Sequence, residues 1–329
     1  MSRYVFRLTI AILGFAVGCS ASWLWVRRLV ASGAPANTRV KVNPPIDTTG
    51  RIVDMQFLPI KTTVAKLKAF HVEPLDNGIP PGVETLLHEL KVQLRDLAAD
   101  TLNEHGEKVS KAEEVEEKLN SILREQGLLI NEDADPNGNE YLHKGFLYGG
   151  IYAFSVRPVP NNPDWLVITT ELELCCGSDT SLYLFKHSGT TWELGLAKEA
   201  NNYHDVSGAQ GLFQYAISAP DHQKRFFVVT ANVNPWCTSN WQQLRYEVLR
   251  PSKYAYQPIS LLKRQETIYL GVDQPYHLDV RSDEFSLRFF GDKYLDMMIG
   301  DKEMGPNYEN AIQHPRFRIR GNRVVRVSR

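Results

Sequence analysis

Hydrophobic and polar positions follow three patterns along this chain, and each predicts a different structure. Residues 8–26 (LTIAILGFAVGCSASWLWV) show no alternation: the run is apolar and uncharged, with Arg3 and Arg7 before it and Arg27 and Arg28 after it. At about 1.5 Å of rise per helical residue, it is just long enough to cross a hydrocarbon core of roughly 30 Å. Trp23 and Trp25 stand at its far end, where indole rings favour the membrane–water interface. Three readings fit residues 1–28. An uncleaved signal anchor matches the length and the basic flanks. A bacterial lipoprotein signal would use Ala16-Val17-Gly18-Cys19, although Ala16 stands where Leu is usual and the run continues past Cys19. A cleaved secretory signal is the third, without a small-x-small site followed by polar sequence. The rest of the chain is expected outside the cytoplasm, on the periplasmic or extracellular side. Arg3 and Arg7 against Arg27, Arg28, Arg39 and Lys41 give little charge asymmetry, so the cysteines carry that expectation. Residues 29–50, which include ASGAPANTRVKVNPPIDTTG, are small, polar and Pro-rich, as in a flexible stalk.

The second pattern, apolar at three- and four-residue steps, predicts an α-rich segment over 51–130. After Pro80-Pro81-Gly82 come Val83, Leu86, Leu87, Leu90, Leu94, Leu97 and Leu102, with Gly106 as the stop. Ser110 and Glu113 form a capping box that Val109 would staple, and Val115, Leu119, Ile122 and Leu123 form the stripe that follows, ending at Gly127. The two make a helical hairpin whose wide apolar face is expected to pack on the chain's own sheet. Upstream, Ile52, Val53, Phe57, Leu58 and Ile60 read as a strand and 64–70 as a helix.

From about residue 148 the period falls to two, which predicts an antiparallel β domain over 131–329. Strands are expected at 151–156, 166–174, 181–186, 191–197, 212–218, 226–233, 243–249, 259–262, 267–270 and 285–290. A last hairpin joins 317–320 to 323–327 through Gly321-Asn322. A repeat runs through this region. PNNPDWLVITT at 160–170 parallels PDHQKRFFVVT at 220–230, and Cys176-x-Ser178-Asp179 parallels Cys237-x-Ser239-Asn240. Two units, about 151–210 and 211–270, would each be a four-stranded meander, in a propeller-like or sandwich arrangement.

Net charge is −1, so no global electrostatic case exists for a nucleic-acid partner. The chain has four cysteines: Cys19, the adjacent Cys175 and Cys176, and Cys237. The three beyond the leader are too few for a disulfide scaffold and wrongly spaced for zinc. Extending the alternation of Leu166, Ile168, Leu172 and Leu174 puts Cys176 inward and Cys175 outward. A disulfide between Cys176 and Cys237 is therefore expected in an oxidising compartment.

The two equivalent loops, around Cys176 and around Cys237, form the expected working face. Ser178, Asp179, Trp236, Ser239, Asn240 and Trp241 are its candidate ligand-binding residues. Trp236, Trp241, Tyr246, Tyr254 and Tyr256 could stack on a sugar or peptide, or fill the core. Asp133-Ala-Asp135-Pro-Asn137-Gly138 begins like a calcium loop, but Lys144 occupies the closing position, where a carboxylate is needed. His204-Asp205, with Asp279, Asp283 and Glu284, offers acid–base groups without fixed geometry. Arg318 and Arg320 alternate with Phe317 and Ile319, as on a strand with one wet, charge-protected face. No nucleophile elbow, zinc-protease, P-loop or dinucleotide fingerprint is present, so no catalytic residue, metal or cofactor is assigned. The chain reads as an α+β, membrane-tethered, extracytoplasmic binding or scaffolding protein with a protein or glycan partner. The alternatives are a hydrolase built on the Cys176/Cys237 loop face and a subunit of an envelope complex.

Overall fold

A strand that is apolar on one phase needs one covering layer, and a strand that is apolar on both needs two. The strand 177–188 is buried continuously from Asp179 to Phe185, so its sheet lies inside a stack. The computed structural model describes residues 58–70, 78–104, 111–130, 148–175, 177–200, 202–235, 239–270, 275–291 and 312–327. All belong to the unit Asp54–Arg329. The leader, the stalk and the calcium-like segment lie outside the described residues, as do residues 105–110 and 292–311. Among the described residues no helix is long and apolar enough to cross a membrane.

Three antiparallel sheets follow one another, two of four strands and one of five. Sheet 1 is β1 (Ser155–Val159), β2 (Asn162–Leu174), β3 (Gly177–Ser188) and β4 (Thr191–Lys198). Sheet 2 is β5 (Gln214–Ile217), β6 (Val228–Val233), β7 (Trp241–Arg250) and β8 (Ile259–Tyr269). Sheet 3 holds β9 (Tyr276–Val280), β10 (Glu284–Phe290), β11 (Ile312–Gln313), β12 (Arg316–Arg320) and β13 (Arg323–Val327). Phe289 faces Gln313 and Ser286 faces Arg316, so β11 and β12 share one register on β10 and differ only by the break at His314-Pro315. Proline has no N–H for the ladder, which accounts for the break. Each of the two suspected repeat units forms one meander, and a third follows the same plan.

Side-chain phase stacks the sheets. Leu166, Ile168, Leu172, Tyr183 and Phe185 face the helices, while Val167, Leu182, Leu184 and Leu196 meet Phe226, Val228 and Leu249 of sheet 2. The other phase of sheet 2, including Val229, Ala231, Tyr246 and Val248, meets Phe285, Leu287, Phe289 and Phe317 of sheet 3. The series does not close into a ring among the described residues. Helices occupy one end, and charged side chains line the outer face of sheet 3.

The helices are α1 (Leu58–Lys68), α2 (Val83–Glu104) and α3 (Ala112–Glu125). Val83, Leu87, Leu90, Leu94, Leu97 and Leu102 of α2 are all buried, as their spacing predicts. Leu58 and Ile60 belong to a helix and not to the expected strand, because Ile60, Val64 and Leu67 make one buried face. The expected capping box is not used: α3 starts at Ala112, with Lys111 at the N-cap and no side-chain cap. Its end is as expected. Gly127 has φ +65°, its N–H reaches Arg124 O at 3.0 Å and Leu128 N–H reaches Leu123 O at 2.9 Å, which is a Schellman stop.

Two asparagines tie helices to the borders of sheet 1. Asn120 donates to Phe154 O (3.0 Å) and accepts from Phe154 N–H (2.7 Å). Asn103 does the same with Trp192 O and N–H, at 3.2 and 2.7 Å. Glu116 also accepts from Val156 N–H at 2.7 Å. Each amide imitates a ladder partner, and the backbone of an edge is satisfied without another strand.

Candidate functional site

The turns of sheets 1 and 2 adjoin. Leu174 pairs with Gly177 across the two-residue turn Cys175-Cys176. Gly177 has φ +97°, and a Cβ there would lie 2.9 Å from Cβ of Pro235, just beyond β6. Cys176, Trp236 and Cys237 lie outside the described residues. The alternation stops at this turn. Cys175 is half-buried against the helix-side core, where Tyr148 OH donates to its Sγ at 3.3 Å, and it does not point outward as expected.

The other candidates separate. Ser178 opens β3 and lines a concavity of about 440 Å³ with Leu212, Phe213 and Tyr276. Ser239 and Asn240 are exposed, and Ser239 Oγ accepts from Trp241 N–H at 3.0 Å. Trp241 packs on its cross-strand partner Tyr269, centroids 5.0 Å apart. Tyr246 is buried between sheets 2 and 3, donating to Glu266 at 3.2 Å. Tyr254 and Tyr256 are exposed, and Tyr256 lies under Arg95 of α2. The described aromatic residues near these loops are thus spread over three places, with Tyr246 in the core.

Asp179 stands in β3, wholly removed from solvent. It is ion-paired to Lys91 of α2, and both side chains have 0 % exposure. Tyr203 OH accepts from Lys91 Nζ and donates to the Asp179 carboxylate, whose other oxygen accepts from Gln210 N–H at 2.7 Å. Lys91 Nζ also donates to Ala200 O at 3.2 Å. Burial and the neighbouring Asp179 anion push the Tyr203 phenol far above its ordinary value. The polar side-chain atoms of Lys91, Asp179 and Tyr203 all have partners, so the cluster clamps α2 and β3 to the connection between sheets 1 and 2.

His204 and Asp205 lie on a turn, not a strand. Asp205 caps the 3₁₀ turn Val206–Gly208, accepting from Ser207 N–H at 2.8 Å. His204 is exposed at a polar concavity of about 360 Å³ that includes Arg245 and the Lys198–Glu247 ion pair (2.8 Å). Asp205 Oδ1 is taken up by its own turn, and among the described residues no hydrogen bond joins Asp205 to His204. Asp279, Asp283 and Glu284 stand on sheet 3 beside arginines. Among the described residues no three His, Cys, Asp or Glu are grouped to hold a metal ion.

Glu173 is the most perturbed carboxyl. Desolvation pushes its pKa up to about 7, with Lys68 only partly opposing the shift, and its Oε2 has no hydrogen-bond partner. Gly150 makes room for it: a Cβ there would sit 2.6 Å from that oxygen. The folded state holds the proton where the unfolded chain has lost it, so stability falls as pH rises from about 4.5 to about 7. After discounting for residual solvation this is roughly 1–2 kcal/mol. Glu173→Gln is expected to raise the thermal midpoint at pH 8 by about 2–4 °C and to flatten its pH dependence. Equal midpoints for the two proteins at pH 8 would refute this.

A groove runs along the β5 side of the stack. A concavity of about 600 Å³ lined by Arg157, Pro158, Tyr215, Ile217 and Leu278 shares Phe213 and Gln214 with the one at Ser178. β5 is an edge strand, bonded only to β6. Ser218 N–H bonds Phe227 O at 3.0 Å, so by antiparallel alternation Gln214 and Ala216 face β6. The N–H and C=O groups of Tyr215 and Ile217 are left facing the groove. Phe213, Tyr215, Gln214 and Arg157 were not singled out from the sequence. Their signal was the alternation of Phe213, Tyr215 and Ile217 on one short strand. The chain matches no family model, no curated protein and no solved structure.

Proposed function

We propose that this chain is a membrane-tethered, extracytoplasmic binding or scaffolding module that works without catalysis, and that its groove takes an extended polypeptide segment of a partner protein. The apolar run at 8–26 supports the tether and the location. The free edge of β5 carries the binding reading. It presents unpaired main-chain groups between the apolar side chains of Phe213, Tyr215 and Ile217, which suits addition of a strand. Arg157 at the rim favours an acidic residue in that segment. Specificity would come from alternate side chains entering the two concavities, and affinity from the backbone.

The test is to pan a random-peptide display library against the full chain in detergent. Peptides with alternating apolar positions are expected to be enriched, and Tyr215→Ala and Phe213→Ala each to weaken their binding about tenfold or more, roughly 1.4 kcal/mol. Arg157→Glu, at an exposed position, reads the same site without disturbing the core. Enrichment of nothing, binding indifferent to all three changes, or capture of soluble polysaccharide in the groove would each overturn the reading.

A further inference from the structure

The outer face of sheet 3 is the one broad sheet face left uncovered among the described residues, and it is strongly cationic. Arg281, Arg288, Arg316, Arg318, Arg320 and Arg323 stand there against Asp279, Asp283 and Glu284, in a chain whose net charge is −1. The acids are already engaged. Glu284 accepts from Arg316 (3.1 Å) and Arg318 (3.0 Å), and Asp279 lies 3.8 Å from Arg281.

One row has no acid. Arg288 of β10 pairs directly with His277 of β9. On its other side the shared register of β11 and β12 puts His314 opposite it, between Gln313 facing Phe289 and Pro315 O accepting from Leu287 N–H. All three are exposed, and they line one concavity of about 620 Å³. Among the described residues none of the three has an ion-pair partner. Arg288 carries a full positive charge there and each flanking imidazole has an N–H to donate, so the row suits an anion between them.

From this we infer that His277, Arg288 and His314 form a binding site for a phosphoryl group. Neighbouring strands are about 4.8 Å apart, so the row spans roughly 10 Å, with the longest side chain at its centre. The Arg288 guanidinium can offer two parallel N–H donors to one phosphate edge, while an imidazole N–H approaches from each flank. A phosphate presents enough oxygens for all three residues, and a carboxylate presents only two. The site lies on sheet 3; His277 also borders the concavity at Ser178, but Arg288 and His314 do not, so a test on Arg288 reads this site without the β5 groove.

Titration of the full chain in zwitterionic detergent with phenyl phosphate tests the site calorimetrically. Saturable binding is expected, weakened about tenfold or more by Arg288→Gln and left unchanged by Arg320→Gln on the same face. Displacement by inorganic phosphate and by monomeric dihexanoyl phosphatidic acid then identifies the source. Stronger displacement by the lipid supports a phospholipid headgroup, and equal displacement supports a free phosphate. Absence of binding, or binding indifferent to Arg288→Gln in a protein with unchanged thermal midpoint, would overturn the inference.

Discussion

Replacing Asp179 by Ala is expected to destabilise the folded chain by about 3–5 kcal/mol, because it leaves the Lys91 ammonium buried without a counter-ion. The pair has no solvent to fall back on, since both side chains have 0 % exposure. Tyr203 and Gln210 also lose their acceptor, and with it the connection between sheets 1 and 2 loses its anchor to α2. In a unit of this size the change lowers the thermal midpoint by roughly 10 °C. Lys91→Met combined with Asp179→Leu is expected to recover most of the loss, since a well-packed apolar pair often matches a buried ion pair. Thermal melts of the three variants settle it. A drop under about 2 °C for Asp179→Ala would show that the cluster relaxes and is not a clamp.

Cys176→Ser is expected to cost about as much. Gly177 and Pro235 lie against each other, so the chain positions next to Cys176 and near Cys237 are brought together. A disulfide between those two cysteines closes a loop of about sixty residues, worth roughly 4 kcal/mol in the chain-entropy account. Cys175 sits on the helix side of the turn, against Tyr148, and Cys175→Ser is expected to do little. Non-reducing peptide mapping reads the connectivity directly. Cys237 bonded to Cys175, or found as a thiol in protein isolated under oxidising conditions, would refute the bond.

The contrast between Leu90 and Asp179 shows what a sequence discloses here and what it withholds. Leu90, Leu94 and Leu97 repeat on one helical face, so their burial is written locally. Asp179 follows Cys175-Cys176-Gly177-Ser178, a string with the look of an exposed turn. Its burial depends on Lys91, which lies far away in the chain and carries no local mark. Strand alternation predicts most of the strands of sheets 1 and 2, but 259–262 and 267–270 belong to one strand, Ile259–Tyr269. The polar residues between them keep their ladder to β7 while their side chains stay wet. β9 was missed although Tyr276, Leu278 and Val280 alternate with His277 and Asp279, because three apolar positions are a weak signal. The β5 groove was not legible at all. A free edge is a property of which strands pair, and no residue in β5 records that its outer side has no hydrogen-bonded strand.

Sheets 1 and 2 are each covered on both faces, whereas among the described residues sheet 3 rests on sheet 2 alone. Order in such a series depends on nearest-neighbour interfaces, so its last member is held by one of them. Were sheet 3 to lift away, it would bare Val229, Ala231, Tyr246 and Val248 together, a surface already shaped to receive a copy of what had left. The same sheet from a second molecule fits that surface as well as the chain's own. The open end of the stack thus contains a route to reciprocal exchange, in which two molecules trade their terminal sheets and each completes the other.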